Sequence, residues 1–268
     1  MRCVWSAMSF SCVTITTVTA RTDDGISAFV VPKGTPGFVV EPAYVRWTPT
    51  FTDAAGMHAF SFYATKNITS AEGGALTTDD PAWAERTSIM ALHGISRDAW
   101  KRYSADGYQH WDIIGPGYKY NMPDLAGALV LSQLGKIEAF WQRRLALKTR
   151  MDAQLREIPE IALPGEKPGV KHAYHLYPIV VRTEALAADR DQIMTAIQKE
   201  NVGIGVHFRA VHLHPFYTAT FGFRRGMFPH AEYYSDRTVS LPLYPRMTDR
   251  DADDVVAAVR KVVARFRC

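Results

Sequence analysis

Phe60-Ser61-Phe62-Tyr63-Ala64-Thr65-Lys66-Asn67-Ile68-Thr69-Ser70-Ala71-Glu72-Gly73-Gly74 sets one lysine in a short turn between two strand-like runs. Upstream, Met57 to Phe62 is apolar and aromatic. Downstream, Gly74-Ala75-Leu76-Thr77-Thr78 is a second short extended run, with Glu72-Gly73-Gly74 as the breaker. A primary amine on a four-carbon stem forms a Schiff base with an aldehyde when burial or nearby cations keep part of it deprotonated, against a solution pKa of about 10.4. Ser61, five positions earlier, offers a hydroxyl to a phosphate from the strand end. The same residues also fit a solvated loop lysine, the usual environment of that side chain. From the residues alone both readings stay open.

The run Ser61 to Gly74 resembles the cofactor-lysine motif of the DegT/DnrJ/EryC1/StrS family of sugar aminotransferases, which use pyridoxal phosphate (PLP). Further matching words follow in the family's order: Ala91-Leu92-His93-Gly94-Ile95-Ser96-Arg97-Asp98-Ala99-Trp100, Gly117-Tyr118-Lys119-Tyr120-Asn121-Met122 and His175-Leu176-Tyr177-Pro178. Gly205-Val206-His207-Phe208, His212-Leu213-His214-Pro215 and Leu241-Pro242-Leu243-Tyr244-Pro245 complete the series. The resemblance covers about Met57 to Phe266.

A chain of 268 residues makes one or two domains with a sizeable core. Its composition, 47% hydrophobic and 22% charged, is that of a soluble globular protein, and a net charge of +4 with interspersed signs gives no reason to expect nucleic acid. Cys3, Cys12 and Cys268 lie near the two ends without CxxC spacing, which argues against a disulfide framework or a zinc site and for a reducing, cytoplasmic setting. Residues 1–20 faintly resemble a signal peptide, but serines and threonines interrupt the apolar region. No apolar run approaches the ~20 residues of a membrane span.

From Val13 to Val40 the alternation of Val, Ile and Thr, broken at Asp23-Asp24-Gly25 and again at Pro32 to Gly37, predicts a β-hairpin. Gly25 to Phe38 resembles the β-rich middle domain of acyl-CoA dehydrogenases, and is too short to carry a flavin site. The amino end, residues 1–55, therefore reads as a segment of foreign character.

Pro81 to Leu92 predicts a helix with Trp83, Ile89, Met90 and Leu92 as anchors and His93-Gly94 as its stop. Arg97 to Pro116 reads as a long loop. Pro123 begins the next helix, and Ala126 to Leu134, apolar almost all round, predicts a buried one. Arg143 to Arg156 is charged and helical. Ile161 to Lys171 is the linker candidate. Tyr174 to Val181 as strand, Arg190 to Glu200 as helix and Gly203 to Phe208 as strand make a small α/β domain. The spacing of His207, His212 and His214 is no standard metal site, and no metal is expected. Thr248 and Asp251 form a capping-box-like pair opening a final helix with Ala252, Val255, Val256, Val259, Val262, Val263 and Phe266 at helical spacing.

The fold class expected is α/β, a partial fold-type I PLP-dependent transferase: residues 56–160 as the end of a large, mainly parallel-sheet domain and 161–268 as a small carboxyl-terminal α/β domain. The resemblance implies transfer of an amino group from an amino acid, most often glutamate, to a keto group of a nucleotide-linked sugar. It implies that Lys66 carries PLP and moves the proton, that Ser61 and Asn121 bind the cofactor, and that His214 and Tyr217 line the substrate entrance. Many members have an arginine where this chain has Asn121, so only the loop's role carries over: reaching the cofactor phosphate of a partner subunit in a homodimer. The family's pyridinium-pairing aspartate lies upstream in an amino-terminal half absent from this sequence. Glu41, beside Pro42, is the acid at a plausible distance. The competing reading is a catalytically inactive α/β fragment that serves as a binding or dimerisation module.

Overall fold

The computed structural model describes residues 2–4, 19–22, 25–28, 58–96, 111–166 and 168–268. Its contacts divide the chain into two units, 1–138 with 171–173, and 139–170 with 174–268. Most of the foreign-looking amino end, and Glu41 with it, lies outside the described residues.

In the first unit, β1 (Arg2–Val4), β4 (His58–Ser61) and β5 (Gly74–Thr78) form one antiparallel sheet with β5 in the centre. The register Ser61↔Gly74 and Phe60↔Ala75 closes the lysine turn at its base, and β1 joins the other edge of β5 with Cys3 opposite Thr77. A hairpin of β2 (Thr19–Thr22) and β3 (Gly25–Ala28) pairs Thr22 with Gly25 around the Asp23-Asp24 break, as the alternation predicts.

Helix α1 (Pro81–Ala91) starts where Asp80 accepts from the Ala82 and Trp83 amides, at 2.7 and 3.4 Å. Its enclosed residues are Ala84 and Ala91, whereas the expected anchor Trp83 is exposed. The chain then reverses through His93 and Gly94, both at positive φ. Helix α2 (Asp124–Leu134) corrects a second expectation. It is not buried all round: Gly127 and Val130 are enclosed, while Leu125 is 83% exposed and Leu129 52%. Among the described residues, the core of this unit, Phe62, Ile68, Ala75, Met122 and Val130, takes up one narrow face of the helix.

The second unit holds nearly all of α3 (Ile137–Leu155), then β6 (Ile161–Ala162), β7 (Tyr177–Val181) and α4 (Arg190–Lys199). The short helices α5 (Pro215–Phe221) and α6 (Pro229–Ser235), strand β8 (Thr238–Leu241) and helix α7 (Asp249–Phe266) follow. Its sheet runs β6-β7-β8, antiparallel throughout. The expected strand at Gly203 to Phe208 is reduced to one bridge, Gly205 to Ser240, because only Gly205 donates to and accepts from β8 there. The start of the expected linker pairs as β6, Ile161 with Val181.

Both capping boxes of this unit are complete: Asp189 with Gln192 opens α4, and Thr248 with Asp251 opens α7. The α7 stripe Ala252, Val255, Val256, Val259, Val262 and Val263 packs with Leu147, Met151 and Leu155 of α3 and with Ile179, Val181 and Val239 of the sheet. Full burial of such side chains contributes roughly 1.5–3 kcal/mol each, so this cluster holds the unit together. Arg144 is buried in it and donates through Nη1 to the carbonyls of Tyr174 (3.1 Å) and Leu243 (2.6 Å). Burial without a carboxylate lowers its pKa to about 10.

Candidate active site

The lysine turn is fixed mostly by its own backbone. Phe62 donates to Gly73 (2.7 Å), Ser70 donates to Phe62 (3.0 Å), and Lys66 itself donates to Tyr63 (2.9 Å). The Thr69 hydroxyl bonds the Phe62 carbonyl at 2.9 Å and accepts from the Ala71 amide at 2.9 Å. One side chain from α2 completes the frame: Gln133 accepts from the Thr69 amide (3.1 Å) and donates to the Thr69 carbonyl (2.7 Å). Asn67 donates to the Ala173 carbonyl at 2.7 Å. Phe62 and Ile68 are buried beneath the turn. Neither Gln133 nor Ala173 stands out in the sequence; a glutamine sixty-four residues away carries no local signal.

Lys66 is half-buried, and among the described residues its amine has no hydrogen-bond or ion-pair partner. Ser61 stands at the end of β4, where its Oγ accepts from the Tyr63 amide at 3.3 Å and keeps its own proton to donate. An unengaged amine on a rigid turn and a hydroxyl at its base fit the aldehyde and phosphate ends of PLP. Among the described residues no acid is assigned to its ring nitrogen.

Asn121 lies in the same unit, on the loop ahead of α2. That loop is pinned along α1: Tyr118 donates to Met90 (2.7 Å), Tyr120 to Ala91 (2.9 Å), and His93 donates back to Tyr118 (2.8 Å). The approach requires glycine, since a Cβ on Gly117 would stand 1.9 Å from the Gly94 nitrogen. Asn121 Oδ1 accepts from the ammonium of Lys119, so the loop places a cation beside the amide.

His214 and Tyr217 belong to the second unit, at the start of α5, with His214 exposed and Tyr217 half-buried. Two of the three histidines of this region are separately engaged. His207 Nδ1 meets Ser240 Oγ at 2.8 Å, and His212 Nε2 meets Glu232 at 2.9 Å with both side chains buried. Glu232 also accepts from the amides of Gly226 (2.8 Å) and Phe228 (3.3 Å), and these amides, with His212, hold its carboxyl below the usual range. This buried pair is absent from the sequence reading because its members are twenty residues apart.

A family model for the DegT/DnrJ/EryC1/StrS aminotransferases matches residues 50–260. The chain belongs to this family. A relative of Methanocaldococcus jannaschii, uncharacterized protein MJ1066, is 47% identical over 209 residues, which are 78% of this chain and 54% of the relative. The spore coat polysaccharide biosynthesis protein SpsC of Bacillus subtilis is 44% identical over 206 residues, 76% of this chain and 53% of SpsC. The chain thus spans about half the length of these relatives.

Among solved structures, the putative sugar aminotransferase Spr1654 of Streptococcus pneumoniae in its PMP form matches with a TM-score of 0.71 at 29% identity, over 80% of this chain and 55% of that one. Its PLP form matches with a TM-score of 0.69 at 28% identity, over 78% and 52%. The family is PLP-dependent, and the α/β architecture is a partial fold-type I transferase, as the motifs imply. Among the described residues no helix is long and apolar enough to cross a membrane.

Proposed function

We propose that this chain carries the lysine-bearing part and the small domain of a PLP-dependent aminotransferase. The enzyme moves an amino group from an amino acid, glutamate in this reading, to a keto group of a nucleotide-linked sugar in polysaccharide or glycan precursor synthesis. The carrying observation is Lys66, an amine without partner among the described residues on a turn closed by β4, β5 and Gln133. The family match and the names of SpsC and Spr1654 support the sugar and polysaccharide setting.

When bound, PLP supplies the electron sink that lets a proton leave the donor carbon. Lys66 would hold the cofactor through Nζ, and the same amine, once free, would take that proton as base and return it as acid. The Ser61 hydroxyl donates to the phosphate. The loop bearing Asn121 and Lys119 serves the phosphate of the neighbouring subunit in a cytoplasmic homodimer. His214 and Tyr217 line the sugar entrance on the small domain, and residues 56–160 are the remnant of the large one. A second reading, a binding or dimer-forming module without turnover, is favoured by the leucines that α2 leaves exposed.

Borohydride reduction after addition of PLP, followed by peptide mapping, tests the first reading. One label on Lys66, lost in Lys66→Ala, is expected. Label spread evenly over surface lysines would overturn it.

A further inference from the structure

Asn67 follows Lys66 directly, and its side chain ties the turn to a distant part of the chain. Nδ2 donates to the Ala173 carbonyl at 2.7 Å, across 106 residues. Because a carbonyl only accepts, this bond settles the direction of the amide, nitrogen towards Ala173 and oxygen away from it. Gln133 holds the turn at Thr69, three positions beyond Lys66, whereas the Asn67 tie acts at the very next residue. Its anchor is itself fastened. Lys171 to Ala173 belongs to the first unit, as Asn67 does, although the residues on either side of that segment belong to the second. Within the first unit Lys171 pairs with Glu138 at 2.7 Å.

Stability does not account for this amide. Oδ1 of Asn67 is buried, and among the described residues it meets no donor. A buried acceptor left without a donor costs at least as much as the single bond through Nδ2 returns, and such a group in a folded protein calls for a reason. Ala173 is only half-buried, so water can take over its carbonyl when the amide is removed. An apolar side chain of similar size would therefore serve the fold as well. A directed tether beside Lys66 serves the placement of the amine instead.

We infer that Asn67 is a positioning residue for Lys66. Its bond to Ala173 fixes the backbone from which the half-buried amine projects, and so the orientation in which that amine meets the cofactor aldehyde. The inference rests on the reading of Lys66 as the cofactor lysine, and it assigns the aim of that lysine to a contact with Ala173, a residue outside every family-like word of the sequence.

Two labels applied to the full chain test it, with peptide mapping to compare Lys66 with the surface lysines. One is PLP followed by borohydride; the other is acetic anhydride, which reads the placement of the amine without the cofactor. Asn67→Asp keeps the shape and loses the donor; Asn67→Ala loses both. In each variant PLP labelling of Lys66 should slow roughly tenfold, within the hundredfold that about an ångström of misplacement costs. Acetylation of Lys66 should rise towards the rate of the surface lysines, while the urea midpoint and the other lysines stay unchanged. An Asn67→Asp protein that labels like the parent would overturn the inference. So would a fall in the urea midpoint with altered rates at all lysines, which is the mark of a structural role alone. Acetylation that shifts as expected in a chain whose Lys66 takes no PLP would break the cofactor-lysine reading alone; PLP labelling of Lys66 that ignores both substitutions would break the positioning role alone.

Discussion

Helices α2 and α7 are both rich in apolar residues, and the two units treat them in opposite ways. Along α7 the valines recur every three or four residues between charged ones, so one face meets the core and the other meets water. Along α2, Leu125-Ala126-Gly127-Ala128-Leu129-Val130-Leu131 is apolar without a period, and the fold encloses Gly127 and Val130 while leaving the leucines out. Periodicity identifies a face; apolar content alone identifies none. The consequence reaches the chemistry: the second unit is held by a large apolar core, whereas the lysine turn of the first is held chiefly by directed hydrogen bonds.

A cavity in the larger core gives the strongest test of that contrast. Ile179, fully buried in the centre of β7, should cost about 2–5 kcal/mol when changed to Ala. Leu129→Ala, at a half-exposed position of α2, should stay within about 0.5 kcal/mol. Urea denaturation followed by circular dichroism measures both. Similar losses would mean that α2 buries more than one narrow face.

Gln133→Ala attacks the other mode of stabilisation. It removes two hydrogen bonds to Thr69 and should cost about 1–3 kcal/mol, since each contributes roughly 0.5–1.5. Faster hydrogen exchange at the Thr69 amide and weaker PLP labelling of Lys66 are the expected signs. Unchanged exchange at Thr69 would show that the backbone bonds at Phe62 hold the turn without α2.

The parts legible in the sequence are those whose physics is local. Gly74 to Thr78 reads as a strand and is one, Thr19–Thr22 pairs with Gly25–Ala28 as the expected hairpin does, and the Thr248–Asp251 box opens α7. Lys66 was legible as a candidate because a turn between two extended runs is a local pattern, and the family words around it gave it a role. What closes the turn was not legible, because Gln133 and Ala173 reach it across 64 and 106 residues. The His212–Glu232 pair was hidden for the same reason. Exposure on α2 depends on how much core the rest of its unit supplies, a quantity no window of sequence contains.

The smallest effect tests whether the second unit is held by its core alone or also by charges between α3 and α7. Arg150 of α3 grips Asp253 of α7 through two hydrogen bonds of 2.7 Å, and Gln154 adds a third at 2.8 Å. The Arg150 hydrogen bond, then that of Gln154, lower the Asp253 pKa to about 2, against roughly 3.9 in an unfolded chain. A carboxyl whose folded pKa is depressed binds its proton more readily when unfolded, so its contribution is complete above about pH 4. It is lost as the pH falls towards about 2. Asp253→Asn removes the titrating group. The variant should therefore melt slightly lower than the parent near pH 7, and the two melting temperatures should converge on acidification. A slope remains in the variant, because Glu160, held low chiefly by its hydrogen bond to Arg267, loses its contribution in the same direction. Parallel curves from pH 7 to pH 2 would show that the exposed Arg150 to Asp253 contact, screened by solvent, leaves the unit to its apolar core.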